Sequence, residues 1–555
     1  MADICRLGAN GKHQQNIWRG FRLVARKHLK ASWDPYWVDT VCPGPDGFAS
    51  VCCKRPVLLP HEIVARMFEH NEESFHKLVA TDGVATFWSR YLDATPDFVK
   101  HPAYAHVRRR GDRCIPVKIF EDDGGVGKHR GMTVSHWSPL LASASTQDSR
   151  IPMYVQLDCN ALGTLTSKPL IEALVWSWEV LLTGRFPERD HRGDNWPAGW
   201  RRERSKEWLC DGFFFVVVYV CMDWKASAMA FNLPWHYNAQ PEVCHLCDCT
   251  VDGPCTYARF DVHDRPPRDS HEYMTSPAGL SSPWAQLPGF FLTMIVGELM
   301  HTGPLGTCLY ACGSALLEVC QLGWYGEHSN IGQWKERLGL QLATAYVDFR
   351  SFIRRHAKPK SRRRKFTVAR LGMRKATDLP VLKAKAAHAM EITEWLSEVC
   401  RQIAAKRPSD YARLRFTMLW SLNAFLHIVR HGGCPWLSKS ELRQLRRARD
   451  GFLFSYHQLR LISAEQSRAL YPLTPKFHMF SHIELLCQQT RLNAKILWCF
   501  QDEDNMGVLQ RICISSHGGT VEQTCLEKWC MQWFERNQFG ILEARSTSSA
   551  RWRML

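Results

Sequence analysis

FFFVVVYVCMD, residues 213–223, is the stretch on which the fold turns. From Phe213 to Met222 the run is unbroken by any charge, and it stops on an acid, Asp223. It is about half the ~20 residues that a membrane-spanning helix needs, so it reads as a buried strand.

Working toward the N-terminus, Cys114-Ile-Pro-Val-Lys-Ile-Phe120 alternates apolar and other residues and reads as another strand, ended by Glu121-Asp122-Asp123-Gly124-Gly125. Residues 132–141, with a turn, and 151–157 read as two more strands, and 169–182 (PLIEALVWSWEVLL) as an amphipathic helix. Several strands, a helix and a further buried strand make an α/β core. Toward the C-terminus, residues 253–283 are rich in Pro, Asp and Ser and read as loop. Helical patterning fills 289–356, 381–403, 411–429 and 438–461, and returns from 475 before a polar tail. Residues 61–79 also read as one helix, but residues 1–110 carry no motif that specifies chemistry. The organisation is therefore an N-terminal region of unknown role (1–110), the first part of the core (111–250), a mostly helical insertion (251–474), the part completing the core (475–535) and the tail (536–555).

Composition narrows the classes. The chain has 555 residues, 45% apolar and 23% charged, which is ordinary for a globular protein and excludes a disordered one. The net charge of +17, from 71 basic and 54 acidic residues, favours a polyanionic partner. Nucleic acid is the commonest, an anionic membrane surface the next, and a basic loop without a ligand the bland alternative. No apolar run is long enough to cross a bilayer, and residues 1–15 hold no apolar signal core. A protein that is not secreted and works in cytosol or nucleus follows. Its 22 cysteines are then expected as reduced thiols, buried or bound to metal.

Three groups of residues could carry chemistry. Asp122 or Asp123, and Asp223, stand at strand ends, where carboxylates can point into a cleft. Such carboxylates can hold a pair of Mg²⁺ ions about 3.5–4 Å apart for phosphodiester cleavage and transfer, although acids after strands also cap helices and start turns. Alternation along a strand sends Asp122 and Asp123 to opposite faces, so only one can reach a metal. Glu503, in Asp502-Glu503-Asp504, is the third candidate; a charged helix N-terminus would look the same. Cys244-His-Leu-Cys247 has the spacing of a zinc pair, with Cys255, His263 and His271 as candidate partners and buried thiols as the alternative. The basic segment that spans Arg354, Arg355, Lys358, Lys360, Arg362, Arg363, Arg364 and Lys365 could contact phosphates, serve as a nuclear import signal, or be a solvated loop.

In order, these segments resemble the transposases of CACTA-type elements and their Plavaka-like relatives. Four features over residues 110–535 carry the likeness: Lys118-Ile-Phe-Glu-Asp122-Asp123-Gly124; residues 215–223 followed by Phe231-Asn-Leu-Pro234 and the Cys244/Cys247 pair; Gly297-Glu298-Leu-Met-His301-Thr-Gly-Pro-Leu305-Gly306; and Pro475-Lys476-Phe-His478-Met-Phe-Ser-His482 with residues 498–507 after it. Glu298 departs from the family, which usually has Asp there. The resemblance implies an RNase H-like mixed sheet interrupted by a long helical insertion, with a helical C-terminal region. It implies Mg²⁺ or Mn²⁺ on Asp122 or Asp123, Asp223 and Glu503, hydrolysis at an element end, and attack of the freed 3′-hydroxyl on target DNA. DNA, a second copy of the chain and a nuclear location are the expected partners and place. An inactive, transposase-derived DNA-binding protein and a structural protein with no catalytic role are the competing classes.

Overall fold

The computed structural model describes residue 20 and residues 34–538, apart from 45–48, 80, 127–129, 143, 331, 360 and 362. Lys360, Arg362 and most of the tail lie outside the described residues.

The centre is a mixed five-stranded sheet. Its strands are β3 (Cys114–Val126), β4 (Arg130–Pro139), β5 (Ile151–Leu157), β6 (Phe214–Met222) and β7 (Ile295–Gly297), in the order β5-β4-β3-β6-β7. β3, β4 and β5 are successive antiparallel partners, whereas β3–β6 and β6–β7 are parallel. β6 lies between two parallel neighbours and all nine of its residues are buried. A strand covered on both faces can be apolar throughout, which is why its run shows no alternation.

Two expectations are corrected here. The acid–glycine cluster does not end β3, which continues through Asp122 and Asp123 to Val126 because β4 keeps pairing with it there. The parallel pairing with β6 does stop, at Ile119–Val220. The second correction is β7, a three-residue strand hidden in a region that reads as helix.

We number the helices of seven residues or more among the described residues. The N-terminal region contributes a hairpin, β1 (Tyr36–Pro43) and β2 (Ser50–Val57), and the helices α1 (Pro60–His70), α2 (Glu72–Val79), α3 (Val84–Ala94) and α4 (Tyr104–Arg110). The single helix expected at 61–79 is two, broken at Asn71, whose extended backbone stops α1. Val38, Val64, Phe75, Phe87 and Trp88 join the core of the main sheet, so this region is part of the same packed body. Cys42 and Cys53 are joined as a disulfide, contrary to the expectation of reduced thiols throughout.

α5 (Thr164–Thr183) covers one face of the sheet, where Trp178 meets Trp137 of β4 edge to face. α6 (Trp224–Ala230) follows β6 directly. The insertion is a helical body with its own core: α7 (Cys308–Gln321), α8 (Trp334–Arg355), α9 (Ala386–Lys406), α10 (Asp410–His431) and α11 (Lys439–Glu465). The loop expected at 253–283 holds two short helices, Ser270–Thr275 and Pro277–Ser281, each begun by a side-chain cap. α12 (Pro475–Thr490) returns to the core, and α13 (Phe500–Ile514) and α14 (Val521–Gln538) cover the other face of the sheet. No helix among the described residues is long and apolar enough to cross a membrane.

Candidate active site and candidate metal centre

Three adjacent strands deliver acids to one edge of the sheet. The β3–β6 register, carried three residues past Ile119–Val220, sets Asp122 level with Asp223. The β6–β7 register, carried one past Met222–Gly297, sets Asp223 level with Glu298. Neighbouring strands are about 4.8 Å apart, so these acids crowd one place. The structure also separates Asp122 from Asp123. Asp123 accepts a hydrogen bond from Thr133 Oγ1 (2.7 Å) and lies on the α5 face, whereas Asp122 faces α13 with Lys118. Asp122 is the residue that meets the others. Burial pushes its carboxyl up to about 7; the Asp123 amide opposes this, the charges of Asp223 and Glu503 add to it, and His301 opposes it.

Glu503 reaches this edge because its neighbour Asp502 is fixed to the sheet. The Asp502 carboxylate accepts from Lys118 Nζ (2.8 Å), His136 Nε2 (3.0 Å) and Arg150 Nε (3.3 Å), and Asp502, Lys118 and His136 are fully or almost fully buried. Burial alone would raise Asp502; Lys118, Arg150 and His136 overcome it and hold the group well below the usual carboxylate range. α13 then runs along β3 and crosses it closely at Gly124, where a Cβ would come within 2.8 Å of Met506 Cε and Gln510 Nε2. Sequence reasoning read Asp502 only as part of an acidic helix start and missed this anchor.

Asp223 is both a strand end and a helix cap. Its Oδ1 accepts the Ala226 amide (2.6 Å) at the start of α6. One oxygen is thereby used and the other remains. Glu298 has a different role. Its two oxygens accept from the amides of Met300 (2.5 Å), His301 (2.8 Å) and Cys499 (2.7 Å) and from His301 Nδ1 (2.9 Å). Such a satisfied carboxylate is a positioning group. It ties the segment before α13 to β7 and orients His301, whose Nε2 pairs with Glu503 (3.2 Å). Burial works against charge on His301, but Glu298 and Glu503 raise it to about 10, so it is an imidazolium at neutral pH. Lys476 of α12 completes the edge: its Nζ donates to the His301 carbonyl (3.1 Å), and the charges of Asp223 and Glu298 act on it.

A second cluster lies beside the first. Cys244, Cys247, His478 and His482 are all buried, and their ligand atoms lie within 4.8 Å of one another. Cys244 Sγ is 3.5 Å from His482 Nε2, Cys247 Sγ is 3.3 and 3.4 Å from the Nε2 atoms of His478 and His482, and those two nitrogens are 3.1 Å apart. Ligands on a tetrahedral zinc ion, with bonds of about 2.0–2.3 Å, stand roughly 3.3–3.8 Å apart. The donor set and its spacing fit. Burial holds His478 down to about 4, leaving it neutral and able to offer a lone pair, and hydrogen bonds from Cys247 and nearby amides, against the effect of burial, bring the Cys244 thiol below its usual value. This is a buried Cys2His2 cluster that could hold a metal such as zinc. His478 and His482 are one helical turn apart on α12.

The partners expected for the cysteine pair are corrected. Cys255 faces Asp248, His263 bonds Glu484 (2.9 Å), and His271 starts a short helix; none joins the cluster. The basic segment is divided. Arg363 holds Glu391 with two bonds (2.6 and 2.7 Å) and Lys358 holds Glu394 (2.7 Å), so these two are structural in the described fold. Arg354, Arg355, Arg364 and Lys365 are exposed.

Compared with the models of known protein families and with curated proteins, the chain matches none.

Proposed function

We propose that this chain is a DNA transposase of the RNase H-like kind, in which Asp122, Asp223 and Glu503 are the catalytic carboxylates. The observation that carries the reading is the convergence of acids from positions 122, 223 and 503 at one sheet edge, with Glu503 brought there by its neighbour's buried anchor. The strand order, with β4 alone reversed relative to β3, β6 and β7 on that side of the sheet, supports an RNase H-like core. The net charge of +17 supports a DNA partner, and such a partner would place the chain in the nucleus.

The oxygen donors suit Mg²⁺ or Mn²⁺, and three crowded carboxylates call for a cation to relieve their repulsion. Bound there, a pair of such ions would activate the attacking hydroxyl and stabilise the leaving oxygen. Asp122 would hold the ions from within β3, Asp223 from the end of β6, and Glu503 from the first turn of α13. His301, held by Glu298, orients Glu503. Lys476 places positive charge beside Asp223, where a phosphate would sit.

A binding protein that has lost catalysis is the second reading. It is favoured by one observation: Glu503 is already engaged by His301 at 3.2 Å. Titration of Mn²⁺ into the full chain, followed by plasmid nicking, separates the two. The transposase reading expects Mn²⁺ binding and nicking that Asp122→Asn, Asp223→Asn and Glu503→Gln each abolish, with DNA affinity kept. Asp123→Asn should leave both intact. Absence of Mn²⁺ binding, or equal loss in the Asp123 variant, would overturn the assignment.

A further inference from the structure

The helical insertion holds a cleft of about 440 Å³ between the end of the basic segment and the start of α9. Its floor is apolar, from Phe349, Phe366 and Ile392, and its rim carries Arg364, Arg370, Lys383 and Lys385. No carboxylate lines it. The acids of the adjoining helix, Glu391 and Glu394, are already taken by Arg363 and Lys358. Among the described residues none of the four rim cations pairs with a carboxylate, and Arg370 spends a guanidinium N–H on the Lys383 carbonyl (2.7 Å). Burial depresses Arg370, and the neighbouring Arg364 charge adds to it. Lys385, just before α9, gives that helix no side-chain cap, so the first amides of α9 add to the positive field at this end of the cleft.

We propose that this cleft takes an unpaired nucleotide of a DNA strand, with its phosphate on Arg364, Arg370, Lys383 and Lys385 and its base over the apolar floor. The inference rests on the reading that DNA is the substrate. A concave site of this size excludes a duplex but admits a single base with its phosphate. A duplex backbone crossing the surface would use the cations and leave the apolar floor idle. An acidic peptide would match the rim but not the apolar floor of Phe349, Phe366 and Ile392.

The test is fluorescence anisotropy on the full chain with a blunt duplex and the same duplex bearing a 3′ single-stranded overhang, over a series of salt concentrations. The Lys383→Ala/Lys385→Ala double variant changes only exposed side chains at the rim. It should weaken overhang binding by about ten-fold and lower the salt slope by about two ions, with blunt binding changed far less. dAMP should displace the overhang more effectively than inorganic phosphate. Unchanged overhang affinity would overturn the proposal. Equal loss on both DNAs would reduce the cleft to a phosphate contact and overturn it too, as would displacement by polyglutamate as effective as by dAMP. Asp122→Asn, which should still bind the overhang, keeps this failure apart from failure of the catalytic reading; a wild-type chain that binds neither DNA sinks both.

Discussion

Asp502→Ala would strand positive charge in the interior, and its cost can be worked from the contacts. Asp502 is 0% exposed and its partner Lys118 1% exposed. The carboxylate accepts from Lys118 at 2.8 Å, His136 at 3.0 Å and Arg150 at 3.3 Å. Arg150 keeps a bond to Ser149 Oγ (2.7 Å), and burial already holds His136 toward its neutral form, so most of the cost falls on Lys118. Removing one partner of a buried pair costs about 3–5 kcal/mol, a large part of the ~5–15 kcal/mol that holds a folded domain together. The folded carboxyl is depressed, so this contribution is present at neutral pH and is lost only as pH falls through and below the ordinary carboxylate range. A chain of this length need not unfold in one step. The assay is therefore urea unfolding followed by hydrogen exchange in residues 500–514, with Lys118→Met and the Lys118→Met/Asp502→Ala double variant closing a cycle. The double variant should be more stable than Asp502→Ala, because no charge is left unpaired. A loss below about 1 kcal/mol, the value of an exposed ion pair, or a double variant no better than the single, would refute the reasoning.

Further outcomes follow from the same geometry. Elemental analysis of protein purified without chelators should find a single zinc ion per chain, and Co²⁺ in its place should show thiolate charge-transfer and tetrahedral bands. Cys247→Ser should lose both; a cobalt spectrum without a thiolate band would rule out the cysteines. Burial raises Glu121 to about 7 despite bonds from Tyr154 and Trp284, so the folded state keeps that proton longer than the unfolded chain. Stability should then fall as pH rises from about 4.5 to about 7, by at most ~3 kcal/mol. Urea midpoints of Glu121→Gln should lose that share of the slope and keep the share that Asp122, also raised to about 7, contributes over the same window; a variant with the wild-type pH profile would show that Glu121 is ionised throughout. Glu298→Gln keeps the shape but weakens the hold on His301; it should lower Mn²⁺ affinity by about 10–100-fold, and unchanged affinity would remove Glu298 from the site's support.

The sequence made the central strands legible because β6 is buried on both faces and β3 and β5 are apolar runs, although the acid–glycine cluster, which reads as the end of β3, lies inside it because β4 keeps pairing there. It could not show β7: three residues give no period, and the strand exists only because β6 offers an edge to pair with. The acids at 122, 223 and 503 could be singled out by position, but the choice between Asp122 and Asp123 required knowing which face α13 covers. Asp502 looked like any acid at a helix start; its role depends on Lys118, His136 and Arg150, all more than three hundred residues away in the chain. The metal cluster was half visible. Cys244 and Cys247 had the spacing, and His478 and His482 had the helical interval, but nothing local joins two pairs more than two hundred residues apart. The basic segment misled for the same reason, since the acids that take up Arg363 and Lys358 lie on the following helix.

That cysteine–histidine cluster also bears on how the chain assembles. The insertion separates β6 from α13, so completing the sheet's second face requires closing a very long loop. Such closure costs entropy that grows only with the logarithm of loop length, but contacts this distant in sequence slow folding. A metal held by residues 244, 247, 478 and 482 clips the two ends of the insertion together at its base. With that clip shut, the insertion becomes a tethered lobe, and α13 has only a short span to search before Asp502 finds Lys118.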